Sequence, residues 1–117
     1  MELPFDCVFY YASELGAAIR FYRDVLGFKL ISRDLVARFD VDGVLLEIVP
    51  AAAKGSLRAP GNARLCLRVD SVEHVLQELR AKGVHAGSAV DKSTGLLGSF
   101  EDPDGNEICL WQYLKKP

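Results

Sequence analysis

The chain has 117 residues, half of them apolar and 26% charged, with 14 Lys and Arg against 16 Asp and Glu for a formal charge of −2. A globular domain of this size buries roughly 65% of its unfolded surface, so a core forms without disulfides or a structural metal, and wholesale disorder is excluded. The longest apolar run, Val44 to Ala53, is broken by Glu47 and Pro50. That is far short of the ~20 residues a spanning helix needs, and no basic block beyond Lys115-Lys116 suggests a nucleic-acid surface.

The opening Met-Glu-Leu-Pro has no basic or apolar leader pattern, and Cys7, Cys66 and Cys109 are scattered without a C-x-x-C. Reduced thiols in a cytoplasmic protein are expected. Asp6 to Tyr11 reads as a first strand, and Ser13 as the N-cap of a helix whose Leu15, Ala18, Ile19, Tyr22, Val25 and Leu26 form one apolar stripe. Gly27 stops that helix and Phe28 to Ser32 is the next strand. Val36 to Val41 and Val44 to Val49 flank Asp42-Gly43, a type I′ hairpin signal. Residues 50–62 carry two prolines and two glycines and read as a linker.

The pattern then repeats. Ala63 to Val69 is a strand, Asp70-Ser71-Val72-Glu73 a capping-box signature, and Val72, Val75, Leu76 and Leu79 a second stripe ended by Gly83. Val84 to Ala89, Leu96 to Glu101 and Glu107 to Tyr113 are expected strands, the last pair turning on Asp102-Pro103-Asp104-Gly105. At an offset of 57, Leu15, Ala18, Ile19, Tyr22 and Arg23 fall on Val72, Val75, Leu76, Leu79 and Arg80, while Gly27 meets Gly83 one residue out of step. The expected fold is α+β: two tandem βαβββ modules, about 1–50 and 63–117, forming a curved mixed sheet with helices on one face and a ligand cleft on the other.

Alternation sorts the strand residues into two faces. The aliphatic sets (Leu46 and Ile48, Leu65 and Leu67, Ile108 and Leu110) suit the helix side. Cys7, Phe9, Tyr11, Glu47, Arg64, Cys66, Cys109, Trp111 and Tyr113 are left on the open side. Aromatic walls with a few polar groups suit a small-molecule site, and a packed layer or dimer interface would use the same residues. Glu47, amid Val-Leu-Leu-Glu-Ile-Val, needs a partner if it is buried, and Arg64 on the same face is a candidate.

Phe21-Tyr22-Arg23-Asp24-Val25-Leu26-Gly27-Phe28 resembles the F-Y-x-x-x-L-G-F signature of the vicinal oxygen chelate superfamily, which includes glyoxalase I, bleomycin- and fosfomycin-resistance proteins and extradiol dioxygenases. Phe100-Glu101-Asp102-Pro103-Asp104-Gly105-Asn106-Glu107-Ile108 is similar to its D-P-D-G-N closing hairpin. The resemblance implies a metal held by His and Glu from the first and fourth strands of each module. Those positions fall here on Cys7, Glu47, Arg64 and Cys109. Only Glu47 keeps a usual ligand type, Arg64 opposes a cation, and His74 and His85 lie elsewhere, on the second helix and an inner strand. A softer thiolate-carboxylate site from Cys7, Cys109 and Glu47 is conceivable in principle, but Arg64 argues against it. Nucleophilic cysteine chemistry has no His base in register.

The expected protein therefore binds a small organic molecule, an antibiotic among the candidates, in an aromatic-lined cleft without a cofactor. Arg64, with Arg68 at the rim, would meet an anionic or carbonyl group on that ligand. The chain is expected to pair as a homodimer, with no nucleic-acid or membrane partner. The alternative is a divalent-metal lyase, isomerase or dioxygenase with Glu47 in the metal shell, and a third reading is a protein-interaction module.

Overall fold

In the computed structural model, which describes residues 1–51 and 64–114, the chain divides into two units, Met1–Pro60 and Gly61–Pro117. The first contains β1 (Val8–Ala12), α1 (Leu15–Arg20), a π-helical turn (Phe21–Val25), β2 (Lys29–Arg33), β3 (Ala37–Val41) and β4 (Val44–Pro50). Its sheet runs β1-β4-β3-β2, with β1 parallel to β4 and the other pairs antiparallel. The second contains β5 (Leu65–Arg68), α2 (Val72–Ala81), β6 (Val90–Asp91), β7 (Gly95–Glu101) and β8 (Glu107–Tyr113). Its sheet repeats the plan as β5-β8-β7-β6, again with one parallel pair. The α+β class and the tandem βαβββ plan are as the sequence indicates.

The hydrophobic stripes explain why each helix packs where it does. Ala18, Ile19 and Tyr22 from the helical segment join Phe39, Leu46 and Ile48 in one core, all at 2% exposure or less. Val72, Leu76 and Leu79 meet Phe100, Ile108 and Leu110 in the other. Fully burying a side chain of this kind is worth about 1.5–3 kcal/mol, so each unit is held chiefly by its helix-side face.

The two sequence motifs turn out to be architectural. Phe21 and Tyr22 sit on the π turn, Gly27 has φ +76°, and the chain reverses so that Phe28 stacks on Tyr22 at 6.1 Å. A π turn holds one more residue than an α turn. That extra residue accounts for the one-residue slip between Gly27 and Gly83. In the closing hairpin, buried Asp102 accepts the backbone N–H groups of Asp104 (2.9 Å) and Asn106 (2.8 Å) and the Asn106 side-chain amide (2.7 Å).

Several boundaries differ from the sequence expectation. The first helix is capped by Glu14, not Ser13; its carboxylate accepts from the backbone N–H groups of Gly16 (3.1 Å) and Ala17 (2.5 Å). The cap of α2 is Ser71, which accepts from the His74 N–H, and the Gln112 side chain accepts from Val72 N–H at 2.9 Å. The expected strand over Val84 to Ala89 reduces to a single bridge, Ala86 with Phe100, and the edge strand β6 lies just beyond it. Most of the 50–62 linker lies outside the described residues, apart from Pro50, which closes β4, and Ala51.

Candidate functional site

Each sheet has a face turned away from its helix. In the first unit Phe9, Glu47 and Arg38 form one cross-strand row over β1, β4 and β3, because Phe9 pairs with Glu47 and Arg38 with Glu47 in register. The Glu47 carboxylate is fully engaged. Arg38 donates Nε–H to Oε2 at 2.9 Å, and the Cys7 thiol lies 3.4 Å from Oε1. Arg38 is itself held by Asp34 at 3.1 Å and by the Ser32 hydroxyl at 3.3 Å. Asp34 is pulled below the usual carboxylate range, first by the Val36 amide and then by Arg38. Burial, then the bond to Glu47 and its negative charge, push the Cys7 thiol up, so it stays protonated at neutral pH. Beside this network Phe9, 51% exposed, meets Tyr11 edge-to-face at 5.6 Å.

In the second unit the corresponding row is Cys66, Cys109 and Ser99, in register across β5, β8 and β7. Next to it Trp111 pairs with Leu97 and lies edge-to-face with Tyr113 at 5.8 Å. The indole packs against Gly95, where a Cβ would overlap its ring. Arg64 precedes β5 and donates Nε–H to Glu107 Oε1 at 3.1 Å. Burial raises the thiols of Cys66 and Cys109, the latter also through the Glu107 charge.

The partner that Glu47 finds within its own unit is Arg38, which the sequence reading did not name. Each acid is matched within its own unit, Glu47 by Arg38 and Glu107 by Arg64. Arg64 and Arg68 are exposed, as are Phe9, Cys66 and Tyr113, while Cys7, Tyr11, Glu47, Cys109 and Trp111 are half-buried. Arg38 is the residue that sequence reasoning missed. The Asp42-Gly43 turn already encoded it, since counting outward from a two-residue hairpin loop sets Arg38 opposite Glu47.

The positions that the resemblance assigns to a metal are Cys7 and Glu47 in the first unit and Arg64 and Cys109 in the second. Glu47 has both oxygens committed, Arg64 brings a permanent cation, and the Cys7 and Cys109 thiols favour the protonated form. Among the described residues no three His, Cys, Asp or Glu side chains are grouped to hold an ion. His74 faces Glu78 along α2 at 3.7 Å, and His85 is an exposed loop residue. A recess of about 260 Å³, lined by Glu73, Gln77 and Arg80 of α2 and by Ser88, lies away from these faces, on the helix side. Among the described residues no helix is long and apolar enough to cross a membrane.

Comparison with known proteins agrees with this architecture. The family model of the Glyoxalase/Bleomycin resistance protein/Dioxygenase superfamily matches residues 5–110. A virulence protein of Salmonella typhimurium, STM3117, is 27% identical over 113 residues, covering 87% of this chain and 78% of its own. The fosfomycin resistance protein FosX of Listeria monocytogenes superposes with a TM-score of 0.79 at 16% identity, covering 96% of this chain and 94% of its own. TnmS3, an antibiotic binding protein from Streptomyces sp. CB03234, gives 0.72 at 24% identity, covering 97% of this chain and 99% of its own.

Proposed function

The chain belongs to the Glyoxalase/Bleomycin resistance protein/Dioxygenase superfamily, and from that membership we propose that it binds a small organic molecule on its aromatic sheet faces, without a metal and without turnover. The observation that carries this reading is the state of Glu47. The one acid at a family metal position accepts from Arg38 and Cys7, while the aromatic pairs Phe9–Tyr11 and Trp111–Tyr113 lie on the faces turned away from the helices. The antibiotic-binding and fosfomycin-resistance relatives support a ligand of antibiotic type. Glu47 with Arg38 and Glu107 with Arg64 neutralise one another in pairs, so aromatic area carries much of the recognition, while exposed Arg68, in register with Trp111, is placed to meet an anionic or carbonyl group on the ligand. Exposed Leu3, Phe5, Ile31 and Leu35 support pairing as a homodimer, and free thiols suit the cytoplasm.

Thermal-shift screening against aromatic antibiotics tests the proposal. A ligand at 100 times its dissociation constant adds ~2.7 kcal/mol of stability, and Trp111→Ala abolishes that shift. Purified protein carrying near-stoichiometric iron, nickel, manganese or zinc would overturn the metal-free reading.

A further inference from the structure

Cys66 and Cys109 stand at the same register position of the neighbouring parallel strands β5 and β8. In-register residues of adjacent strands point to the same side of the sheet, with backbones about 4.8 Å apart. That side is the open one: Leu65 and Leu67 alternate away from Cys66, and the Cys109 sulfur lies 3.9 Å from Glu107 Oε1 at the sheet surface. Both thiols are free, and Cys66 is exposed.

This spacing selects among partners for a dithiol. A disulfide needs Cβ atoms about 3.8 Å apart, whereas Cβ vectors on adjacent parallel strands run side by side at roughly the strand separation, so direct oxidation is strained. A bridging atom with bonds to sulfur of about 2.3 Å spans the gap without moving the backbone. The nearby Glu107 carboxylate is tied to Arg64, and among the described residues no three His, Cys, Asp or Glu side chains are grouped to hold an ion. Zinc, which takes four ligands, is therefore poorly served, and species satisfied by two sulfurs are favoured.

We propose that Cys66 and Cys109 form a dithiol site for a soft thiophile that two thiolates saturate, a monosubstituted trivalent arsenical or a linear d10 cation. The site rests on the two thiols rather than on Glu47, and it shares its sheet face and Trp111 with the aromatic-ligand reading. Trp111 lies two residues from Cys109 on the same face and supplies an apolar surface for an aryl substituent. With phenylarsine oxide the chemistry balances without redox. Two As–S bonds replace the arsenic–oxygen bonding, and the two thiol protons leave with the oxide oxygen as water.

The chain has three cysteines and one tryptophan, so thiol counting and Trp111 emission read the site directly. One equivalent of phenylarsine oxide is expected to protect two of the three thiols from Ellman's reagent and to change Trp111 emission. Cys66→Ser and Cys109→Ser each weaken that binding by about 100-fold, the usual worth of a second tethered contact, while Cys7→Ser leaves it unchanged. Silver ion takes the same pair and zinc at equal concentration does not. Circular dichroism confirms that each serine variant is folded, and Cys66→Ala provides a second test at the exposed position. Protection that survives Cys66→Ser in a folded variant overturns the proposal. So does protection lost in Cys7→Ser, equal protection by zinc, or no protection at all.

Discussion

Adding one methyl group at each of two glycines of β7 tests the assignment of sheet faces on which the functional reading stands. Gly95 and Gly98 lie an odd number of residues apart, so their Cβ positions point to opposite sides. A Cβ at Gly98 would lie 2.6 Å from Val72 Cγ1 and 3.2 Å from Leu76 Cδ1, both on buried α2 side chains with no room to retreat. A Cβ at Gly95 would overlap the Trp111 indole and lie 2.6 Å from the Gln112 backbone oxygen. Neither glycine has positive φ, so alanine meets only this crowding. Overpacking costs about 1–3 kcal/mol, and the stiffer unfolded chain returns about 0.4–1 kcal/mol, leaving a net loss of about 1–2 kcal/mol for each variant. At about 4–8 °C per kcal/mol in a small domain, the unfolding midpoint drops by roughly 5–15 °C. The native emission of the single tryptophan distinguishes the two variants. Gly95→Ala displaces the indole and changes that spectrum, whereas Gly98→Ala lowers the midpoint and leaves the spectrum alone. A spectral change in Gly98→Ala with none in Gly95→Ala would refute the face assignment, and the aromatic binding face with it.

Two further outcomes follow from the polar networks. Burial and Glu47 together raise the Cys7 thiol, so Glu47→Gln removes the negative charge and lowers its pKa. More thiolate is then present at pH 7.5, and Cys7 is alkylated faster by iodoacetamide, as mass spectrometry can measure; an unchanged rate would mean that the contact is absent in solution. In the closing hairpin, Asp102→Ala strands the amides of Asp104 and Asn106. It should cost about 2–4 kcal/mol in urea unfolding, with Asp102→Asn less damaging; a loss under about 0.5 kcal/mol would contradict the buried network.

Most of the architecture was legible because it rests on repeated local signals. Two stripes at helical spacing, an Asp-Gly turn and an Asp-Pro-Asp-Gly turn define both units, and alternation separates Phe9, Trp111 and Tyr113 from the buried Ile48, Ile108 and Leu110. What failed to show has physical reasons. Val84 to Ala89 contains Ala86, Gly87, Ser88 and Ala89, too little side chain to pin a strand, and only Ala86 bridges. A π turn has nearly the side-chain pattern of an α turn, and its only trace was the slipped glycine. Arg38 does not stand out because a shared sheet face points from Glu47 to Arg64, whereas the hairpin register sets Arg38 beside it.

That omission bears on how the family fold can change its chemistry. A carboxylate on the fourth strand of a βαβββ unit is flanked by the first strand and the third. Whichever neighbour supplies a cation decides what the acid can still do. Here the third strand supplies Arg38, and the first supplies a thiol in place of a second basic donor. The guanidinium satisfies Glu47 from the side, and Asp34 and Ser32 hold that guanidinium in turn. The polar patch is therefore closed upon itself before any ligand arrives. In the second unit Arg64 and Glu107 also pair, at the end of the strands. Exposed pairs of this kind exchange at little net cost or gain. On the first face charge thus offers a ligand little beside the aromatic surface of Phe9 and Tyr11; on the second, exposed Arg68 stands in register with Trp111, next to Tyr113.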